Sequence, residues 1–236
     1  MIEYRILTAR RAYDFRPDEL RLTVLSVAEV HQLVQRFFSF QVVQVAPPMP
    51  TFGPIPNTLP PGIVFDYGTT QTPDESPTPI RFMHFEPQRI VIDVAGPSSA
   101  IDWTFKQLRN LLAKTQAPDG TPAIGVPEKM HDYSEISVRC NFGFDDLVDG
   151  PLLELAQETF GEDGRAVLPL SIKFRATDPS EKVFPANIGN INTSQGQLFE
   201  FRAGTRPEEG AFYSATELPT DQHRAWLEAL DQRLSG

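Results

Sequence analysis

The stretch "IRFMHFEPQRIVIDVA", residues 80–95, decides how this chain is read. In its first part Met83 and Phe85 alternate with His84 and Glu86, the period-2 pattern of a strand with one apolar and one polar face. Pro87-Gln88 then allows only a tight reversal. "RIVIDVA" (89–95) follows, apolar on both faces apart from Asp93, as a central strand should be. A helix comes next rather than a third strand. Ser99 stands at its N-cap position with Asp102 three residues on, and Ile101, Phe105, Leu108 and Leu112 form one stripe over 99–114. A hairpin leading into a capped helix does not match the strand–helix alternation that builds a parallel doubly wound sheet.

The same grammar extends outward. Upstream, "EYRIL" (3–7) and "LRLTV" (20–24) read as strands. Ser26 and Glu29 form a capping box for a helix reaching about Phe40, with Val30, Leu33, Val34, Phe37 and Phe38 at helical spacing. "QVVQV" (41–45) and "GIVFDYG" (62–68) are strands, and "QTPDESPTP" (71–79) is a polar loop. Downstream, "YSEISVRCNFGF" (133–144) turns Ile136, Val138, Cys140, Phe142 and Phe144 to one side. A short helix over about 151–160, a strand at 167–174 broken by Pro169, and a hairpin from 197–202 to 210–215 follow. A last helix over about 219–234 stacks His223, Trp226, Leu227, Leu230 and Leu234.

The expected fold is therefore α+β: two packed halves of mainly antiparallel sheet, with about four helices covering one face. Residues 1–115 form the N-terminal half and 130–236 the C-terminal half. "QAPDGTPAIGVPEK" (116–129), rich in proline and glycine, connects them.

Charge divides near the same place. Residues 1–118 carry 11 basic and 11 acidic side chains, whereas 119–236 carry 10 and 20, so the whole net charge of −10 belongs to the second part. Acidity of that size repels phosphate backbones and anionic lipid. Arg5, Arg10, Arg11 and Arg16 make the one candidate basic patch, and acids interrupt it. No nucleic-acid partner is expected. The opening residues have no apolar leader and no run is long enough for a membrane helix, so a cytoplasmic protein is expected. The single cysteine, Cys140, rules out an internal disulfide framework and a multi-thiolate zinc site.

Chemistry-bearing motifs are scarce. His84-x-Glu86 puts an imidazole and a carboxylate on one strand face about 7 Å apart, and opens the zinc-deaminase signature, but the later cysteine pair is missing. Alternation alone explains both residues. His131, Asp132 and Glu135 precede a strand; neighbours in extended chain diverge, so a solvated loop suffices. His31 and His223 lie beside apolar helix stripes. Asp145, Asp146 and Asp149 suit a helix start better than a cation. Asp66 and Asp93, in apolar strands, are the two carboxylates worth weighing as an acid/base pair. Neither a G-x-S-x-G elbow nor a G-x-G-x-x-G loop occurs. "GTPAIG" (120–125) has P-loop glycine spacing but Val126 in place of lysine. No cofactor and no metal is expected.

What stands out instead is "PPMPTFGPIPNTLPP" (47–61), with seven prolines. From Phe37 to Pro73 the only charged residue is Asp66. Disordered linkers are usually polar or charged; this one carries Phe52, Ile55 and Leu59 on a backbone that proline has largely fixed, so ordering it costs little entropy. Such an arm packs on the chain's own sheet or on a second chain. The expected function is a non-catalytic binding or assembly protein acting through protein–protein contacts or as a homo-oligomer, with Phe52, Ile55 and Leu59 as contact residues. The rival is a small-molecule or metal-dependent hydrolase that gathers Asp66, His84, Glu86 and Asp93 in one pocket.

Overall fold

A computed structural model describes residues 3–46, 62–73, 76–113, 115, 120–142, 171–175, 196–201 and 210–234. The chain divides into two compact units: Thr8–Tyr133, and Met1–Leu7 together with Ser134–Gly236. The boundary thus falls inside two strands, β1 (Glu3–Asp14) and β6 (Lys129–Arg139). Residues 120–129 of the expected connector belong to the first unit, where Ile124 bridges to Leu20.

The first unit is an antiparallel sheet in the order β2-β3-β4-β5-β1, built from β2 (Val42–Ala46), β3 (Gly62–Gln71), β4 (Pro77–Glu86), β5 (Arg89–Val94) and β1. The 80–95 hairpin lies where its sequence puts it, with β5 between two neighbours. Three helices, α1 (Leu22–Leu25), α2 (Ala28–Phe37) and α3 (Ser98–Leu111), contribute to a single apolar core. Ile63, Phe65, Met83, Phe85, Ile90, Ile92 and Val94 enter it from the sheet; Leu25, Val34, Ile101, Phe105 and Leu108 enter it from the helices. Strand residues of one parity all face this core, so the helices of the unit share one face of the sheet.

In the second unit β6 pairs with β9 (Ala211–Thr216), β9 with β8 (Gly196–Phe201) and β8 with β7 (Ser171–Arg175), all antiparallel. The last helix, α4 (Thr220–Leu234), packs Leu227 on Ile136, Val138, Cys140, Phe142 and Phe212. Four helices and mainly antiparallel sheet among the described residues make the fold α+β.

Several local expectations change. "LRLTV" is not a strand: Leu20 makes only an isolated bridge to Ile124, and Leu22 already opens α1. Helix α2 is capped by Val27 and α3 by Pro97, neither with a side-chain cap bond, so Ser26 and Ser99 are not the caps. In α2 the buried stripe is Val34 with the capping residue Phe38, while Leu33 and Phe37 face outward. β4 starts at Pro77, inside the expected loop. Its early prolines sit in the strand's first turn of register, beside an irregularity at Arg81, where lost ladder bonds cost least. β6 starts at Lys129 and takes in His131 and Asp132. The 47–61 segment with Phe52, Ile55 and Leu59, the acids at 145–149 and the helix expected at 151–160 lie outside the described residues.

Candidate functional site

Cross-strand register places all four carboxylate and histidine candidates on the sheet face opposite the helices. Asp66 pairs with Phe82, Phe82 with Asp93, and Asp93 with Arg10, which makes one row across four strands. The next row is Val64, His84, Val91 and Ala12. Glu86 pairs with Arg89, and Arg89 with Asp14. The candidates share a face, yet Phe82 stands between Asp66 and Asp93, two strand spacings or about 10 Å apart.

Asp93 has no solvent exposure, and its partners account for it. Thr8 Oγ1 donates to Oδ1 at 2.9 Å, Arg10 donates to Oδ2 from Nε and Nη2 at 2.8 Å each, and Arg81 Nε lies 3.5 Å from Oδ1. A buried carboxylate bonded on both oxygens is an ion-pair centre of the sheet. Asp66 is half-buried and accepts from Gln44 Nε2 at 3.2 Å. His84 and Glu86 meet, with Nδ1 3.3 Å from Oε1. His84 is buried, and its Nε2 has no hydrogen-bond partner. Gly62 lies against that atom: a Cβ there would stand 3.0 Å from Nε2 and 2.0 Å from the carbonyl oxygen of Phe85, so only glycine fits.

The remaining charges of this face neutralise one another. Arg89 Nε bonds Asp14 Oδ1 at 2.5 Å, and His131 Nε2 lies 3.0 Å from Asp14 Oδ2. The hydrogen bond from Arg89 holds the Asp14 carboxyl below the usual range. On the helix-covered face, where Arg11 stands opposite Ile92, Asp132 bonds Arg11 Nε at 2.7 Å, and Arg11 also bonds Asp102 of α3. Burial works against the Arg11 charge, but Asp132 and then the other nearby acids outweigh it and raise its pKa. Arg10 and Arg11, read from the sequence as part of a basic patch, are thus bonded to carboxylates of their own unit.

The second unit holds a constellation that no motif announced. His223 has no exposure; its Nδ1 is 2.8 Å from Ser134 Oγ and its Nε2 is 2.9 Å from Ser214 Oγ. Ser134 donates its own hydrogen to the Leu218 carbonyl at 2.8 Å, so it accepts from His223 Nδ1–H. That tautomer leaves Nε2 as the acceptor for Ser214. Desolvation lowers the His223 pKa to about 4, which keeps the ring neutral. A serine bonded to a neutral imidazole is the geometry of nucleophilic activation, but both serines are fully buried as well. No substrate atom reaches the hydroxyl, and the trio acts as polar core. Residues 134, 214 and 223 are too far apart in sequence for any spacing to reveal them. Cys140 is buried, and burial pushes its thiol up to about 12, far from a reactive thiolate.

Among the described residues no three His, Cys, Asp or Glu side chains are grouped for a metal ion. An open depression of about 580 Å³ in the first unit is lined by Thr72, Thr78, Pro97, Trp103 and Lys106 and includes none of the four sequence candidates.

The exposed apolar residues are arranged quite differently. Of nine large exposed ones among the described residues, six fall between 27 and 67: Val27, Leu33, Phe37, Val42, Val45 and Tyr67. They belong to α2 and its capping residue Val27, to β2, and to β3 at Tyr67. Tyr67 has φ +57°, in the left-handed region that a bulky side chain seldom adopts, and it stands beside the β4 irregularity at Arg81. Gly68 holds this corner closed, because a Cβ there would sit 2.5 Å from the Phe40 ring and 2.9 Å from the Phe38 carbonyl oxygen. The chain matches no known protein family and no curated protein sequence.

Proposed function

We propose that this chain is a binding or assembly module that works through protein contacts. Its contact surface comprises the exposed apolar side chains of Phe37, Val42, Val45 and Tyr67 and the adjoining proline-rich segment with Phe52, Ile55 and Leu59. The observation that carries this reading is the coincidence of two independent distributions. Exposed large apolar side chains concentrate in residues 27–67, and the sequence from Phe37 to Pro73 holds a single charge. A surface rich in apolar groups and poor in charge is what the desolvated centre of an interface requires.

The hydrolase reading has less support. Catalysis by the four candidates needs free groups converging on one cavity, whereas Asp93 is held by Thr8 and Arg10, Asp66 by Gln44, and Glu86 faces His84.

The test uses the hairpin itself. Ala46 and Gly62 are a register pair of β2 and β3, so replacing 47–61 by Asn-Gly closes them with a favoured two-residue turn. The variant is expected to keep its circular dichroism spectrum and lose association measured by light scattering. Unchanged mass and an unchanged set of cross-linked partners would sink the proposal.

A further inference from the structure

We infer that the outer edge of β2 pairs with β2 of a second copy of this chain, extending the sheet across a two-fold axis. Among the described residues β2 is the terminal strand, hydrogen-bonded to β3 alone. Alternate residues of such a strand turn their N–H and C=O groups away from the sheet, and these directional groups call for another strand rather than for a helix or a small molecule.

The composition of the edge argues for a second copy. Natural edge strands are guarded by lysine, proline or an inward charge, and "VVQVA" (42–46) contains none of them. A charged peptide gains nothing from an edge without charges, whereas two copies bring no like charges together. The segment is also self-complementary when it runs antiparallel to itself. Gln44 then faces Gln44 of the second copy, Val43 faces Val45, and Val42 faces Ala46. The Val42 and Val45 side chains are already 38% and 63% exposed, with Phe37 at 49% just before the strand. Apolar area flanking the backbone bonds is what an isologous interface needs.

This pairing rests on the contact reading and names its partner, and three measurements separate the two. The wild-type chain is expected at twice its 26.4 kDa mass in sedimentation equilibrium. Val45→Lys, at an exposed position, restores a guarding charge and is expected to yield monomer with an unchanged spectrum. In Gln44→Cys, the central residues of the paired strands face each other at about 4.5–5.5 Å between Cα atoms, within disulfide range. Mild oxidation should then trap a covalent dimer, while buried Cys140 leaves the wild type uncross-linked. A monomeric wild type overturns the inference. So does a Val45→Lys dimer that Gln44→Cys cannot trap; if the Asn-Gly replacement dissociates that dimer, the contact reading survives and only the β2 pairing falls. Should Val45→Lys fail to fold, the cross-link alone decides.

Discussion

A carboxylate without solvent must be neutralised and bonded, and Asp93 is both. Arg10 and Thr8 reach it from β1, and Arg81 from its neighbouring strand. Replacing it with alanine leaves Arg10 without its carboxylate partner, while Thr8 keeps the Val94 carbonyl as acceptor, and Asp93→Ala is expected to cost about 2–4 kcal/mol in urea unfolding. A loss below about 0.5 kcal/mol would show that the ion pairs contribute nothing to the sheet. His223 makes a pH-dependent contribution of definite sign. Its folded pKa of about 4 lies below the ordinary 6.5, so between these values the unfolded chain binds a proton that the folded chain refuses. Stability is therefore complete above about pH 6.5 and declines as the pH falls toward 4, by about 3 kcal/mol over the window. His223→Gln should flatten this dependence in denaturant titrations at several pH values, and an equally steep curve in the variant would assign the loss to other groups. Cys140, pushed up to about 12 by burial, should react with a thiol reagent only at the unfolding rate; prompt labelling of the native chain would contradict its burial.

At the scale of elements, strand periodicity was highly legible. The 80–95 hairpin, the central place of β5 and the inward set Ile136, Val138 and Cys140 follow from alternation, because a two-residue period leaves few choices once one face is buried. Helix boundaries were less so. Ser26 and Ser99 satisfy the capping pattern, yet the helices start from Val27 and Pro97, which shows that a cap motif states a possibility that tertiary packing then accepts or declines. The outward turn of Leu33 and Phe37 was equally hidden, since a stripe of five apolar residues does not say which of them meets the sheet. The corner after α2 depends on Gly68, where the backbone passes against the Phe40 ring. Gly68→Val is expected to push the α2–β2 corner off β3 and lower the unfolding midpoint, and a variant as stable as wild type would show that the ring has room to move.

For the whole molecule, the sequence disclosed the fold class and the uncharged stretch but not the fate of its polar groups. Partners such as Arg10–Asp93 and Ser134–His223 lie more than eighty residues apart in sequence, so only the folded chain reveals that the acids suggestive of catalysis are already bonded. The proposed contact surface lies instead where the sequence from Phe37 to Pro73 carries a single charge and runs through the prolines. The most direct test compares the mass of the full chain with that of the variant carrying Asn-Gly in place of 47–61, by light scattering at matched concentration. The account predicts an assembly for the wild-type chain and a smaller, still folded species for the variant. Two identical masses, both that of a single chain, would contradict it.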